Sequence, residues 1–383
     1  MKQNRLLSVL RTYDYKTYSW QLIIYVVALS VIGILAVSSA ADDTATVKKQ
    51  IIGLIIGFFL MLIISLIKYE VIARYYWLMY LAAVVLLALV LTGLGRTSGG
   101  AQRWLVVFGL QFQPSELAKL LLIIFFSAFL VKNQQHINSW KFLIITAVLM
   151  LIPLALIFKE PDLSTSIVIF LVICAIIFTS SLLAKYLVKI IAAGILALAV
   201  IIALIVILPA DSNIISEYQY NRLIGFYDED NEEAADIRYQ QENSVLAIAS
   251  GSLTGKGLNN NSITSVKNAD FISEPETDFI FTVIGEELGF VGSIATVLLL
   301  FLIVFECFRI GMRAREQIGR SIAIGFGSLI GFQSFINLGV VTMIIPNTGL
   351  TLPFVSAGLS SLIVLFIGVG IVLNIGLRLK ITF

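Results

Sequence analysis

Charge is scarce in this sequence: Asp, Glu, Lys and Arg make up 13% of 383 residues, and 58% are hydrophobic. A soluble globular chain carries about a quarter charged residues, so a water-facing surface over the whole fold is excluded and the excess apolar area calls for lipid. Sulfur and imidazole are scarcer still. The two cysteines, Cys174 and Cys307, lie in or at the end of apolar runs, which excludes a disulfide framework or a thiolate metal site. The single histidine, His136, sits beside Gln134 and Gln135 in a short polar stretch and reads as a solvated loop residue. With only 7 prolines there is no Pro-rich linker, and no Ser-rich linker or internal repeat is visible, so residues 1–383 read as one domain.

What is abundant is long apolar runs, about ten of them. They are Trp20–Val37, Ile51–Ile67, Tyr75–Leu94, Leu117–Val131, Phe142–Phe158, Leu163–Phe178, Leu187–Leu208, Phe279–Phe308, Ile318–Ile345 and Leu359–Leu377. A helix of roughly 17–25 residues spans a bilayer, so the expected fold is an all-α polytopic membrane protein of about ten transmembrane helices. A hydrophilic stretch, Met1–Ser19, precedes the first run and no small-residue cleavage pattern follows, so that run reads as an anchor rather than a cleaved signal. If the spans alternate, most basic residues, among them Lys16, Lys68, Lys132, Arg309, Arg313 and Arg378, fall on the side of the N-terminus. Both termini are then expected in the cytoplasm.

On the other side one long loop, residues 209–277, joins the seventh and eighth spans. Counted through Asp278, this segment holds 13 of the 24 acidic residues, so an extracytoplasmic site is expected there. Within it Glu217–Leu223 and Ala234–Ala249 read as surface helices. Gly251, Gly255 and Gly257 read as turns, not as a phosphate loop, because no strand precedes them.

Several polar residues sit where lipid makes them costly. Glu116 and Lys119 fall in the first turn of the fourth span, after Pro114 and a possible cap at Ser115; their spacing of three places an ion pair on one helix face. Upstream, Arg96, Arg103 and Trp104 occupy the outer loop, where Arg103 suits contact with a diphosphate head group. Asp162, in the short turn Lys159–Asp162, reads as the cap of the next helix or as a residue near an outer vestibule. In KNADFISEPETDFIFTVIGEELGFVG (267–292), Glu274, Glu276 and Asp278 stand at the water boundary of the eighth span. Burial there raises a carboxylate's pKa and makes it a usable base. Glu286 and Glu287, between Gly285 and Gly289, interrupt that span and suggest a cavity or a re-entrant bend. The stretch PNTGLTLPFVSAGLSS (346–361), which contains Ser356, is too rich in Gly, Pro and hydroxyls for a simple hairpin and reads as lining of the same outer site.

Five ordered motifs carry a resemblance to a known family: GAQRWLVVFGLQFQPSELAK (100–119), EPDLST (160–165), YQQENSVLAIASGSLTGKGL (239–258), ETDFIFTVIGEELGFVG (276–292) and PNTGLTLPFVSAGLSS (346–361). The chain resembles the SEDS family (shape, elongation, division and sporulation) over essentially its whole length. The resemblance implies a peptidoglycan glycosyltransferase that polymerises lipid II, releases undecaprenyl diphosphate and partners a class B penicillin-binding protein in the membrane; no nucleic-acid partner is expected. It places the family's essential acid on Asp278, as general base toward the acceptor sugar's 4-hydroxyl. Arg103, Lys119 or a divalent cation such as Mg or Mn would stabilise the leaving group. Glu116, Asp162, Lys267, Glu274 and Ser356 complete the candidate substrate contacts. Departures from the pattern include Ser273 in place of a proline, a displaced Lys267, and Asn347, Ala357 and Leu359 in the last loop. The short tails favour the elongation type over the division type.

Two other classes compete. A flippase or solute transporter would carry its charges near the midplane, often in repeated broken helices, and only Glu286 and Glu287 suit that reading. A different outer-face polysaccharide polymerase fits the composition but not the ordered motifs, and a scaffold has no use for clustered carboxylates.

Overall fold

A computed structural model describes residues 17–41, 43–98, 101–107, 110–180, 235–259 and 272–377, with Ser265 and scattered positions between 181 and 234. Eleven α-helices are bounded over these residues: α1 (Trp20–Ala40), α2 (Thr44–Ser65), α3 (Tyr69–Arg74), α4 (Tyr76–Val90), α5 (Pro114–Lys132), α6 (Trp140–Lys159), α7 (Leu163–Phe178), α8 (Ala235–Ser250), α9 (Ile280–Arg313), α10 (Gln317–Val341) and α11 (Leu359–Gly376). Seven of them are long and apolar enough to cross a membrane, and α4 and α7 are shorter apolar helices. These nine match nine of the ten predicted spans. The remaining run, Leu187–Leu208, lies largely outside the described residues, as does much of the 209–277 loop. The protein is an all-α, polytopic membrane protein.

The helices divide into lipid-facing and enclosed. Large side chains stand exposed along α2 (Ile55, Phe59), α6 (Ile144, Leu151) and α9 (Ile294, Phe301, Phe305), where hydrocarbon replaces water as the neighbour. By contrast α5 is buried on nearly every face, with Phe125 and Phe126 fully enclosed. It packs against α4, α7, α10 and α11. Lipid gives helices no hydrophobic drive to associate, so close packing and inter-helix hydrogen bonds, each about 0.6 kcal/mol on average, hold such a bundle together. Asn374 on α11 is one such tie: its Oδ1 accepts from Tyr69 N at 2.9 Å and its Nδ2 donates to Ser65 O at 2.8 Å.

Two local findings differ from the sequence expectation. The stretch carrying Arg96, Arg103 and Trp104 is not a loop but a three-stranded antiparallel sheet, β1 (Gly95–Ser98), β2 (Ala101–Val107) and β3 (Leu110–Phe112), with Arg96 opposite Trp104 and Leu105 opposite Phe112. Leu105 is buried, and alternation along a strand puts Arg103 on that same protein-facing side. Ser115 does not cap α5. Pro114 opens the helix after Gln113, with no side-chain cap, and the Ser115 hydroxyl is buried without a partner.

α9 is two helices joined at a kink. Gly289 takes φ 65° and ψ −159°, a conformation closed to residues with a side chain, so Ile280–Leu288 forms a short entry helix before the span proper. The turn after α8 fills the bend: Lys256 N and Gly257 N donate to Glu286 O and Glu287 O, and Phe290 N donates to Ser252 O.

Candidate active site

The acidic motif before α9 is clamped at its main chain. Three consecutive carbonyls, those of Glu276, Thr277 and Asp278, each accept from a different donor: Ala357 N at 2.8 Å, Ser356 Oγ at 2.7 Å and Asn337 Nδ2 at 2.8 Å. Asn337, buried in α10, also donates to Leu350 O at 2.6 Å, and Ser356 Oγ accepts from Leu352 N at 2.7 Å. The irregular 346–358 segment is therefore the bracket that fixes where Asp278 points. Its own anchors reach further. Gln50 on α2 bonds Ser356 O and Gly358 N, and Ser164 on α7 bonds Thr348 O at 2.6 Å.

Around the Asp278 carboxylate, charges of both signs converge. Enclosure by protein raises its pKa above the ordinary aspartate value; Arg222 and Arg103 pull it down, and Glu274 and Asp162 push it up. The residue as a whole is half-buried. Gly349 marks how closely the groups meet. At φ 70°, a Cβ there would fall 2.4 Å from Arg222 Nη1 and 3.2 Å from Asp278 Oδ2, so only glycine leaves the guanidinium and the carboxylate their space.

Arg103 reaches from β2 to the turn before α7, donating to the carbonyls of Glu160 and Pro161. Asp162 caps α7, accepting from Thr165 N at 3.0 Å. Between them the Glu160 carboxyl is fully buried with neither oxygen hydrogen-bonded; burial first, and then Asp162, push its pKa to about 9, so it is a neutral acid at pH 7.

The Glu116–Lys119 pair is present at 2.7 Å and buried. Lys119 also donates to Gln333 Oε1 at 2.9 Å, Gln333 Nε2 donates to Thr351 O at 3.0 Å, and Ser361 Oγ donates to Glu116 Oε2 at 3.0 Å. This network ties α5 and α10 to the bracketing segment. Glu274, exposed and with φ 50°, holds the turn that accepts from Thr277. Lys267 lies outside the described residues.

Of the residues singled out from sequence, Asp278, Arg103, Asp162 and Glu274 thus gather at one place, and Ser356, Glu116 and Lys119 brace it. Sequence reasoning missed Arg222, Gln333 and Asn337. Arg222 had a signal, as one of four basic residues in a loop otherwise rich in acid; the two amides lie in the apolar α10, where polarity itself was the signal. Among the described residues no three carboxylate, imidazole or thiol side chains gather as a metal would need, and the positive charge near Asp278 is guanidinium.

A multi-pass membrane protein with an enclosed carboxylate under the influence of two arginines at the mouth of a kinked span defines the class. The signature of the cell cycle proteins of the FtsW, RodA and SpoVE group matches residues 15–380, and the chain belongs to that family. It is 32% identical to the probable peptidoglycan glycosyltransferase FtsW of Geobacter sulfurreducens, over 96% of this chain and 97% of that one. Among solved structures it superposes with TM-score 0.75 and 29% identity, over 94% and 97% of the two chains, on a protein from a study of polymerization and crosslinking by a peptidoglycan synthase complex. The rod shape determining protein RodA of Thermus thermophilus gives 0.68 and 29%, over 94% and 96%.

Proposed function

We propose that this chain is a peptidoglycan glycosyltransferase that polymerises lipid II, with Asp278 as general base. The observation that carries the reading is the clamped 276–278 backbone, which holds one enclosed carboxylate at a place where two guanidinium groups also act. Asp278 takes the proton from the acceptor sugar's 4-hydroxyl as that oxygen bonds to the donor's anomeric carbon. The anomeric C–O bond to the diphosphate breaks, and undecaprenyl diphosphate leaves with the electron pair. An α-linked donor and a β-linked product need this single inverting displacement, one base and a stabilised leaving group. Lys119 is already neutralised by Glu116 at 2.7 Å, which favours Arg222 and Arg103 as the groups facing the diphosphate. No step is routed through a metal.

The partner on this reading is a class B penicillin-binding protein. For the role in the cell we take the division type over the elongation type: the tails that favoured elongation are weak, and the Geobacter relative carries the division name. Depleting the protein should give filaments; rounded cells that still divide would return the elongation reading.

The enzymatic test supplies lipid II to the purified complex and compares the unaltered chain with Asp278→Asn. The asparagine should keep fold and partner binding while polymer falls by about 10²–10⁴-fold, the usual worth of a general base. Equal polymer from both would remove Asp278 from this role and turn the test to Glu274. Lipid II crossing vesicles without polymer would favour the transporter.

A further inference from the structure

At the end of α9 opposite Asp278 lies a cavity of about 300 Å³, walled by the start of α1 and the ends of α9 and α11. Its lining combines Arg309, Arg313 and Glu306 with Ser19 and the apolar Ile310 and Ile375. Glu306 is buried and its charge is spent: Oε1 accepts from Ser19 Oγ and from Arg309 Nη2, and Arg309 also donates to Gln21 Oε1. The exposed Arg313 side chain lines the same cavity and makes no hydrogen bond or ion pair among the described residues. Arg309 and Arg313 are four apart and so share one helix face, where like charges repel. One acid against two arginines leaves the cavity a net positive charge at the membrane boundary.

We propose that this cavity is a binding site for the phosphate head group of an anionic lipid, with Arg313 as its principal ligand. A guanidinium presents paired N–H donors that match phosphate oxygens, and among the described residues lining the cavity Glu306 is the one carboxylate. The apolar wall of Ile310 and Ile375 beside the two cations suits a glycerol backbone and the first acyl carbons better than a fully hydrated ion. Basic pockets between transmembrane helices at this depth are chemically suited to such head groups. Nothing in the glycosyl-transfer reading uses these residues, which lie at the far end of α9.

The test uses the purified full chain in detergent, with retained lipid counted by native mass spectrometry and thermal stability followed in parallel. Phosphatidylglycerol, phosphatidylcholine and inorganic phosphate are the probes, and Arg313→Gln is compared with Arg315→Gln, an exposed arginine outside the cavity lining. The unaltered chain and Arg315→Gln should retain one phosphatidylglycerol in preference to phosphatidylcholine. Arg313→Gln should lose that preference by about tenfold, as removal of a charge-assisted contact implies. Inorganic phosphate should leave the melting temperature unmoved. Equal retention by both variants, equal binding of phosphatidylcholine, or stabilisation by inorganic phosphate matching that of the lipid would overturn the lipid site.

Discussion

Asp278 is under opposing influences, and their balance sets a pH dependence. Enclosure raises its pKa, and Arg222 is the largest influence lowering it. A base works ionised, so activity should rise with pH through a midpoint above that of an ordinary aspartate. Arg222→Gln removes the main counterweight; the acid side of the pH–rate profile should move to higher pH, and Arg222→Lys should move it less. The variant therefore loses more activity on the acid side of the profile than on the alkaline side. A profile that drops evenly at every pH would mean that Arg222 acts only on substrate or on folding. Glu160 illustrates the opposite fate of a nearby carboxyl: with no hydrogen-bond donor on its oxygens, burial and Asp162 outweigh Arg103, so it stays protonated and adds no charge to the site at neutral pH.

At the scale of elements, the kink of α9 decides where the acidic motif sits. Gly289 meets the turn after α8 so closely that a Cβ would lie 2.3 Å from Gly255 N, and its dihedrals admit glycine alone. Gly289→Ala should therefore destabilise the protein by about 1–3 kcal/mol and straighten or unseat the Ile280–Leu288 segment. Differential scanning fluorimetry reads the first effect and loss of polymerisation the second; an unchanged melting temperature would mean the bend is set elsewhere. The GEELG stretch made this break legible beforehand, because two carboxylates and two glycines inside an apolar run have no place against lipid. The helix start at Pro114, the Glu116–Lys119 pair and the Asp162 cap were legible for the same kind of reason, since each is set by contacts three or four residues apart. The β1–β2–β3 sheet was not: its strands are short, and only their pairing with each other, a long-range fact, marks them as strands. Nor could sequence show that Ser356, Ala357 and Asn337 hold three neighbouring carbonyls, because that bracket joins residues 59 to 81 positions apart.

For the molecule as a whole, the orientation in the membrane ties these parts together. Asp278 stands at the start of α9 and Arg313 at its end, so the proposed chemistry and the proposed lipid site occupy opposite faces whichever way the chain is inserted. The basic residues choose between the two insertions: Arg309, Arg313, Arg315 and Arg320 cluster at the turn from the end of α9 to the start of α10, while the loop from α1 to α2 carries Asp42 and Asp43. The positive-inside rule then puts Arg315 in the cytoplasm and Asp43 outside. Single-cysteine variants Arg315→Cys and Asp43→Cys place one thiol on each face, and both native cysteines are buried, so background labelling should be low. A membrane-impermeant maleimide should label Asp43→Cys in intact spheroplasts and Arg315→Cys only after the membrane is opened. The reverse pattern would place Asp278 on the cytoplasmic side, away from any acceptor strand outside the cell, and the polymerase reading would fall with the topology.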